Sequence, residues 1–296
     1  MGHKHRHGFE DRWITSHDGL KLYARDYAGA SGPARLPVVC IHGLTRNSRD
    51  FGDVAPYLAE TGRRVLALDV RGRGRSERTP NPVDYHPGTY AKDVVSTLDQ
   101  LGISRAVFVG TSMGGLITMI LSTFAPERIA AAVLNDIGPV LSPVGLGRIM
   151  SYAGKAQEPP KSWKDAARYA RSINEAAFPG RKDKFWKAFA ERIFDEGPDG
   201  RPVLAYDPKI SDAFKDAPPD RPAPDMVPVF EGLAKDRPLL LVRGAISDLL
   251  DADGAALMRE KAPHMGYVEV AGVGHAPMLD EPEAKAAILR FMAGLA

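Results

Sequence analysis

The chain has 296 residues, 44% apolar and 26% charged, with a formal net charge of +2. That length holds one large domain, or a domain with a smaller insertion, and supports a sizeable core without covalent staples. So small a charge excludes nucleic acid and an anionic membrane surface as expected partners.

In chain order, residues 1–8 read as a basic, solvated tail. Its His3, His5 and His7 have no carboxylate or cysteine beside them, so no metal site is expected there. The tail lacks the apolar segment of a secretory signal, and nothing in the chain approaches the roughly 20 apolar residues of a membrane span. Trp13–Thr15 and Leu20–Tyr23 flank His17-Asp18-Gly19, a hairpin signal. Short apolar runs then alternate with longer amphipathic segments. The runs are Val38–Ile41, Val65–Leu68, Ala106–Val109, Ala130–Leu134, Leu239–Val242 and Tyr267–Val270. They carry little internal polarity, as strands buried on both faces do. Helical spacing fits Asp50–Glu60, Tyr90–Leu101, Gly114–Phe124, Gly254–Lys261 and Pro282–Met292. Strand–helix repetition of this kind predicts a parallel sheet with helices on both faces. The lone cysteine, Cys40, lies inside an apolar run, so it reads as a core residue; it allows no intramolecular disulfide and fits a reducing cytoplasm.

One interval breaks the rhythm. From Pro139 to Arg237 no clear apolar strand appears. Helical segments, Trp163–Phe178 and Asp183–Phe194, precede a loop ending in the proline cluster Pro218–Pro224. The expected organisation is a core over 9–138, an inserted helical cap over 139–224, and the rest of the core over 225–296. The insertion is rich in aromatic residues, among them Tyr152, Trp163, Phe178, Trp186, Phe189 and Phe214, which suits a pocket wall. Its charges nearly balance, which gives no argument for an anionic substrate.

The chemistry centres on Gly110-Thr111-Ser112-Met113-Gly114. Small residues around a serine, between an apolar run and a helical pattern, let the backbone turn sharply and expose the hydroxyl at a helix N-terminus. A serine needs a base, and the base needs an orienting acid. His275, in the glycine-bounded loop after the last run, is the expected base. Asp248 follows the penultimate run and is the preferred acid on chain order. Asp136, after Leu134-Asn135, is the alternative, able to reach the same histidine from a neighbouring strand. A tetrahedral intermediate needs two N–H donors. Met113, after the serine, and Leu44, in His42-Gly43-Leu44 after an early run, are the expected oxyanion donors. His42 belongs to that motif rather than to proton transfer. His17, His86 and His264 read as structural or solvent-facing. Arg71-Gly72-Arg73-Gly74 lacks the Gly-Lys-Ser/Thr of a phosphate loop and reads as a structural turn.

Together, His42-Gly43-Leu44, Asp69-Val70-Arg71-Gly72-Arg73-Gly74-Arg75-Ser76, Gly110–Gly115, Ser247-Asp248 and Gly272-Val273-Gly274-His275 resemble the α/β-hydrolase superfamily. The likeness is strongest to its cap-bearing esterases, lactonases and carbon–carbon bond hydrolases. It implies an α/β fold with an eight-stranded, mostly parallel sheet, a helical cap after the sixth strand, and no cofactor. It implies hydrolysis of a small-molecule ester or lactone by water through an acyl-enzyme on Ser112. Cleavage of a diketone is the alternative. A serine at the turn excludes the alkyl–enzyme ester that aspartate-bearing relatives form, while haloperoxidase-type chemistry would use the same residues. A different class, a small-molecule receptor that retains the triad, would need a partner-binding cap surface.

Overall fold

A computed structural model describes residues 8–32, 35–153, 160–212 and 224–295. Most of the expected tail, Phe214, and the proline cluster as far as Ala223 lie outside the described residues, as does the approach to the expected boundary at 224.

The chain opens with β1 (Phe9–Thr15) and β2 (Lys21–Tyr27), an antiparallel pair with Trp13 opposite Tyr23. Then come β3 (Val38–Ile41), α1 (Val54–Ala59), β4 (Val65–Asp69), α2 (Pro87–Gln100), β5 (Ala106–Thr111), α3 (Met113–Leu121) and β6 (Ile129–Asn135). The interval without an apolar run holds α4 (Pro143–Tyr152), α5 (Trp163–Asn174), α6 (Asp183–Ile193), β7 (Phe194–Glu196) and β8 (Pro202–Leu204). The chain finishes with α7 (Val227–Ala234), β9 (Leu239–Gly244), α8 (Ala252–Lys261), β10 (Gly266–Val270) and α9 (Pro282–Ala293).

Eight strands form one sheet in the order β1-β2-β4-β3-β5-β6-β9-β10. The pairs β1–β2 and β2–β4 are antiparallel and all others parallel. Every residue of β3, β4, β6 and β9 is buried, which is why these strands read as continuous apolar runs. The two-residue period of a strand divides them between two cores. Val39 and Ile41 of β3, and Phe108 of β5, face the core that packs α2, α3, α7 and α8. Val38 and Cys40, with Val107 and Val109, face the core that packs α1, α9 and the apolar sides of α5 and α6. Burying a side chain the size of leucine contributes about 1.5–3 kcal/mol, so each alternate residue on these strands anchors a helix. Burial also pushes the Cys40 thiol well above the usual thiol range.

From β3 the chain order runs outward in two directions, to β4 on one side and β5 on the other. Such a reversal opens a crevice beyond the carboxyl ends of the strands, where α/β proteins place their ligands. The loops after β3 and β5 begin there.

Among the described residues of the 139–237 interval, α4, β7 and β8 escape the sequence reading. The pattern of α4 is diluted by Gly145 and Gly147, and β7 and β8 have three residues each, too few to show a period. Among the described residues no helix is long and apolar enough to cross a membrane.

Candidate active site

Ser112 sits between β5 and α3 with φ +51° and ψ −115°, a conformation that L-residues rarely adopt. The residues two positions away on either side, Gly110 and Gly114, have to be glycine. A Cβ on Gly110 would meet the backbone of Gly114 and Gly115 at 2.5 Å, and one on Gly114 would meet the Ile41 carbonyl oxygen at 2.0 Å. The backbone is pinned on both sides: Ser112 N–H donates to the Asn135 carbonyl at 2.9 Å, and the Ser112 carbonyl accepts from Gly115 and Leu116.

The Ser112 hydroxyl lies 2.9 Å from His275 Nε2, and His275 Nδ1 lies 2.8 Å from Asp136 Oδ2. A carboxylate only accepts, so Nδ1 carries the proton and Nε2 is left to accept from the serine. Asp136 is fully buried directly after β6, with φ +54°. Two further donors meet its carboxylate: the Gly244 N–H at 2.8 Å and the Ser247 hydroxyl at 2.5 Å.

The expected acid is therefore corrected. Asp248 does not face His275; both its oxygens accept from the Arg148 guanidinium of α4, at 2.5 and 2.8 Å. That guanidinium holds the Asp248 carboxyl below the usual carboxylate range. The residue that reaches the site from the loop after β9 is Ser247, one position earlier, and it supports Asp136 from behind. Sequence order favours an acid after the penultimate core strand. It does not tell which of two adjacent residues turns inward, and the serine at 247 is the only trace of the exchange.

Leu44, from the loop after β3, lines the cavity beside Ser112. Its peptide is held by His42, whose Nδ1 lies 2.7 Å from the Gly43 carbonyl oxygen while Val70 N–H donates to Nε2 at 3.0 Å. The proton must then be on Nδ1. Burial lowers the His42 pKa to about 4, which keeps the ring neutral. The Gly43 carbonyl and the Leu44 N–H belong to one planar trans peptide and point in opposite directions. Tying the carbonyl therefore fixes where the N–H points. Met113 begins α3, so its N–H is one of the helix-start donors with no intrahelical acceptor. Its side chain is buried.

The cavity, of about 80 Å³, joins these groups to side chains from the long interval. Ile149 and Tyr152 of α4, Asn174 of α5, Phe178, and Phe189 of α6 line the cavity, together with Phe51 and Met278. Of the aromatic residues expected to suit a pocket, Tyr152, Phe178 and Phe189 line it. Arg46 and Asp50 also line it, paired through two hydrogen bonds at 2.6 and 2.7 Å, with Arg46 over the Phe189 ring at 4.1 Å. Nothing in the sequence patterning singles out these two.

Among the described residues, the other histidines are His17, His86 and His264, and each has a framework partner. His86 caps α2 by accepting from Gly88 N–H, and His264 Nε2 lies 2.8 Å from the Ala234 carbonyl oxygen. His17, Asp18 and Asp93 are close enough to hold a cation, but the Arg71 guanidinium donates to both carboxylates and fills that place.

Residues 37–196 match the model of the α/β-hydrolase fold family. This chain belongs to that family. It is 35% identical over 278 residues to a 3-hydroxybutyrate-oligomer hydrolase of Cupriavidus necator, spanning 92% of this chain and 94% of the relative. It is 36% identical to an esterase of Escherichia coli over 121 residues, 41% of this chain and 46% of that one. The crystal structure of an α/β hydrolase from Novosphingobium aromaticivorans superimposes with a TM-score of 0.89 at 45% identity, covering 97% of this chain and 98% of that one. The family and these relatives make the chain a hydrolase, and the eight-stranded sheet is the fold the sequence motifs lead one to expect.

Proposed function

We propose that this α/β hydrolase is a serine hydrolase that cleaves a short ester through an acyl-enzyme, with Ser112, His275 and Asp136 as its triad. The observation that carries the reading is the unbroken relay Ser112 Oγ–His275 Nε2 and His275 Nδ1–Asp136 Oδ2, at 2.9 and 2.8 Å. His275 takes the serine proton as Ser112 attacks the carbonyl. The N–H groups of Leu44 and Met113 stabilise the oxyanion. Asp136 holds the ring and stabilises its charged form. The histidine then protonates the leaving alcohol and activates the water that releases the acid.

Esters of short hydroxy acids are the substrate class of choice. The relative of matching length carries 3-hydroxybutyrate oligomers in its name. A small cavity with apolar walls and the polar Arg46–Asp50 pair suits an acyl chain of a few carbons with a hydroxyl group. The segment over 139–224 then serves as a cap that supplies one wall of the pocket.

A fluorophosphonate probe should label the wild-type protein at Ser112, and Ser112→Ala should abolish labelling and lower kcat on short esters by about 10³-fold or more. Turnover is compared on a 3-hydroxybutyrate dimer, a butyrate ester, a lactone and a diketone. Undiminished ester hydrolysis by pure Ser112→Ala protein overturns the assignment.

A further inference from the structure

Arg73 is fully buried in the loop after β4, and its guanidinium contacts both residues whose N–H groups form the proposed oxyanion site. Nε donates to the Leu44 carbonyl at 3.0 Å, and Nη2 reaches Met113 Sδ at 3.6 Å. Nη1 donates to the Arg71 carbonyl and to the Tyr90 hydroxyl, each at 2.8 Å. The Tyr90 and Tyr85 rings lie 4.8 and 5.5 Å from the guanidinium carbon. No ion pair to Arg73 occurs among the described residues. Its neighbour Arg71 takes two carboxylates, Asp18 and Asp93. A buried cation without a partnered carboxylate is costly, and an apolar side chain of similar volume would avoid that cost. What an apolar chain cannot do is hold two different loops with a rigid fork.

We propose that Arg73 is a positioning residue of the oxyanion hole. One arm fixes the loop that presents Leu44 N–H, and the other holds Met113 at the start of α3. The donors come from loops after β3 and β5, which are adjacent in the sheet but far apart in sequence. Their spacing has to match one oxygen atom, and the fork sets it. The inference rests on the serine hydrolase reading and on Leu44 and Met113 as donors. It adds a residue that touches neither substrate nor the serine.

The test uses the full chain as wild type, Arg73→Met and Arg73→Lys, with a short acyl p-nitrophenyl ester and an alkyl boronic acid that forms a tetrahedral adduct on the serine. Loosening a donor by a fraction of an ångström should lower kcat about 10–100-fold in both variants, with KM changed by less than about threefold. Boronate affinity should fall by about the same factor as kcat. Lysine keeps the charge but offers no fork, so it should not rescue. Wild-type kcat and boronate affinity in Arg73→Lys, or an unchanged kcat in Arg73→Met, overturn the proposal. Should neither variant fold, Met113→Leu decides: it removes the sulfur acceptor and keeps the bulk, and an unchanged kcat there overturns the proposal too. A wild-type enzyme that the fluorophosphonate leaves unlabelled would sink the serine reading instead, which separates the two failures.

Discussion

Asp136 and Asp248 both stand at the carboxyl edge of the sheet, and one of them faces the histidine. Asp136 meets three donors at once, from Gly244, Ser247 and His275, so its position is determined from three directions. Replacing it with Asn keeps the size but offers an amide where His275 Nδ1–H needs an acceptor, which favours the wrong ring tautomer. We expect Asp136→Asn to lower kcat by about 10²–10⁴-fold on a short ester, read by steady-state kinetics. That Ser112, His275 and Leu44 meet at one cavity is legible in the sequence because each stands in a glycine-bearing motif that follows an apolar run. The acid is not, because the choice depends on which way a side chain leaves the end of a strand. Only neighbours distant in sequence fix that direction. Arg73 and the Arg46–Asp50 pair are illegible for the same reason: arginine in a polar loop looks solvated until the fold closes over it.

At the level of the element, Asp248 acquires a different role. It belongs to a set of contacts that dock α4 on the loop after β9. The Ser142 N–H donates to the Leu249 carbonyl at 2.9 Å. A Cβ on Gly145 would come within 2.5 Å of the Asp248 carbonyl oxygen, so only glycine lets the helix approach so closely. Arg148 then closes the contact on the Asp248 carboxylate. Ile149 and Tyr152 of the same helix line the cavity, so the ion pair bears on the pocket wall and not on the proposed proton relay. Asp248→Asn should accordingly raise KM about 3–10-fold with kcat nearly unchanged, the opposite split from Asp136→Asn. Equal losses of kcat in the two variants would contradict this division. Partial exposure of the pair limits its contribution to stability. The inner strands β3, β4, β6 and β9 are legible from composition because they are buried on both faces. By contrast α4 is masked by the two glycines that its docking and its sequence carry.

For the whole molecule, acid is the condition that tests the framework behind the site. His42 has its pKa lowered to about 4 in the fold, against about 6.5 when unfolded. The unfolded chain binds this proton first, so the His42 contribution is fully present above pH 6.5 and is lost as the pH falls towards 4. Asp69, Asp93 and Glu281, raised by burial, act in the other direction. The His42 effect is therefore read as a difference between proteins. Urea unfolding at pH 7.5 and pH 4.5 should show the wild type losing on the order of 2 kcal/mol more than His42→Asn, whose amide keeps the donor to Gly43 but does not titrate. Equal losses in both would mean that His42 does not couple folding to protons.

The reversal of strand order at β3 also bears on how the protein comes into being. Leu44 follows β3, Ser112 follows β5, Asp136 follows β6, and His275 follows β10, so the candidate site draws on four strands that pair only across long stretches of chain. Parallel pairing of this kind closes large loops before any contact rewards it, and it is slow. Isolated hairpins or helix pairs can form early without any part of the relay being in place. With the proposed triad, activity is thus a late-arriving property, regained only once β10 has joined the sheet and carried His275 to Ser112.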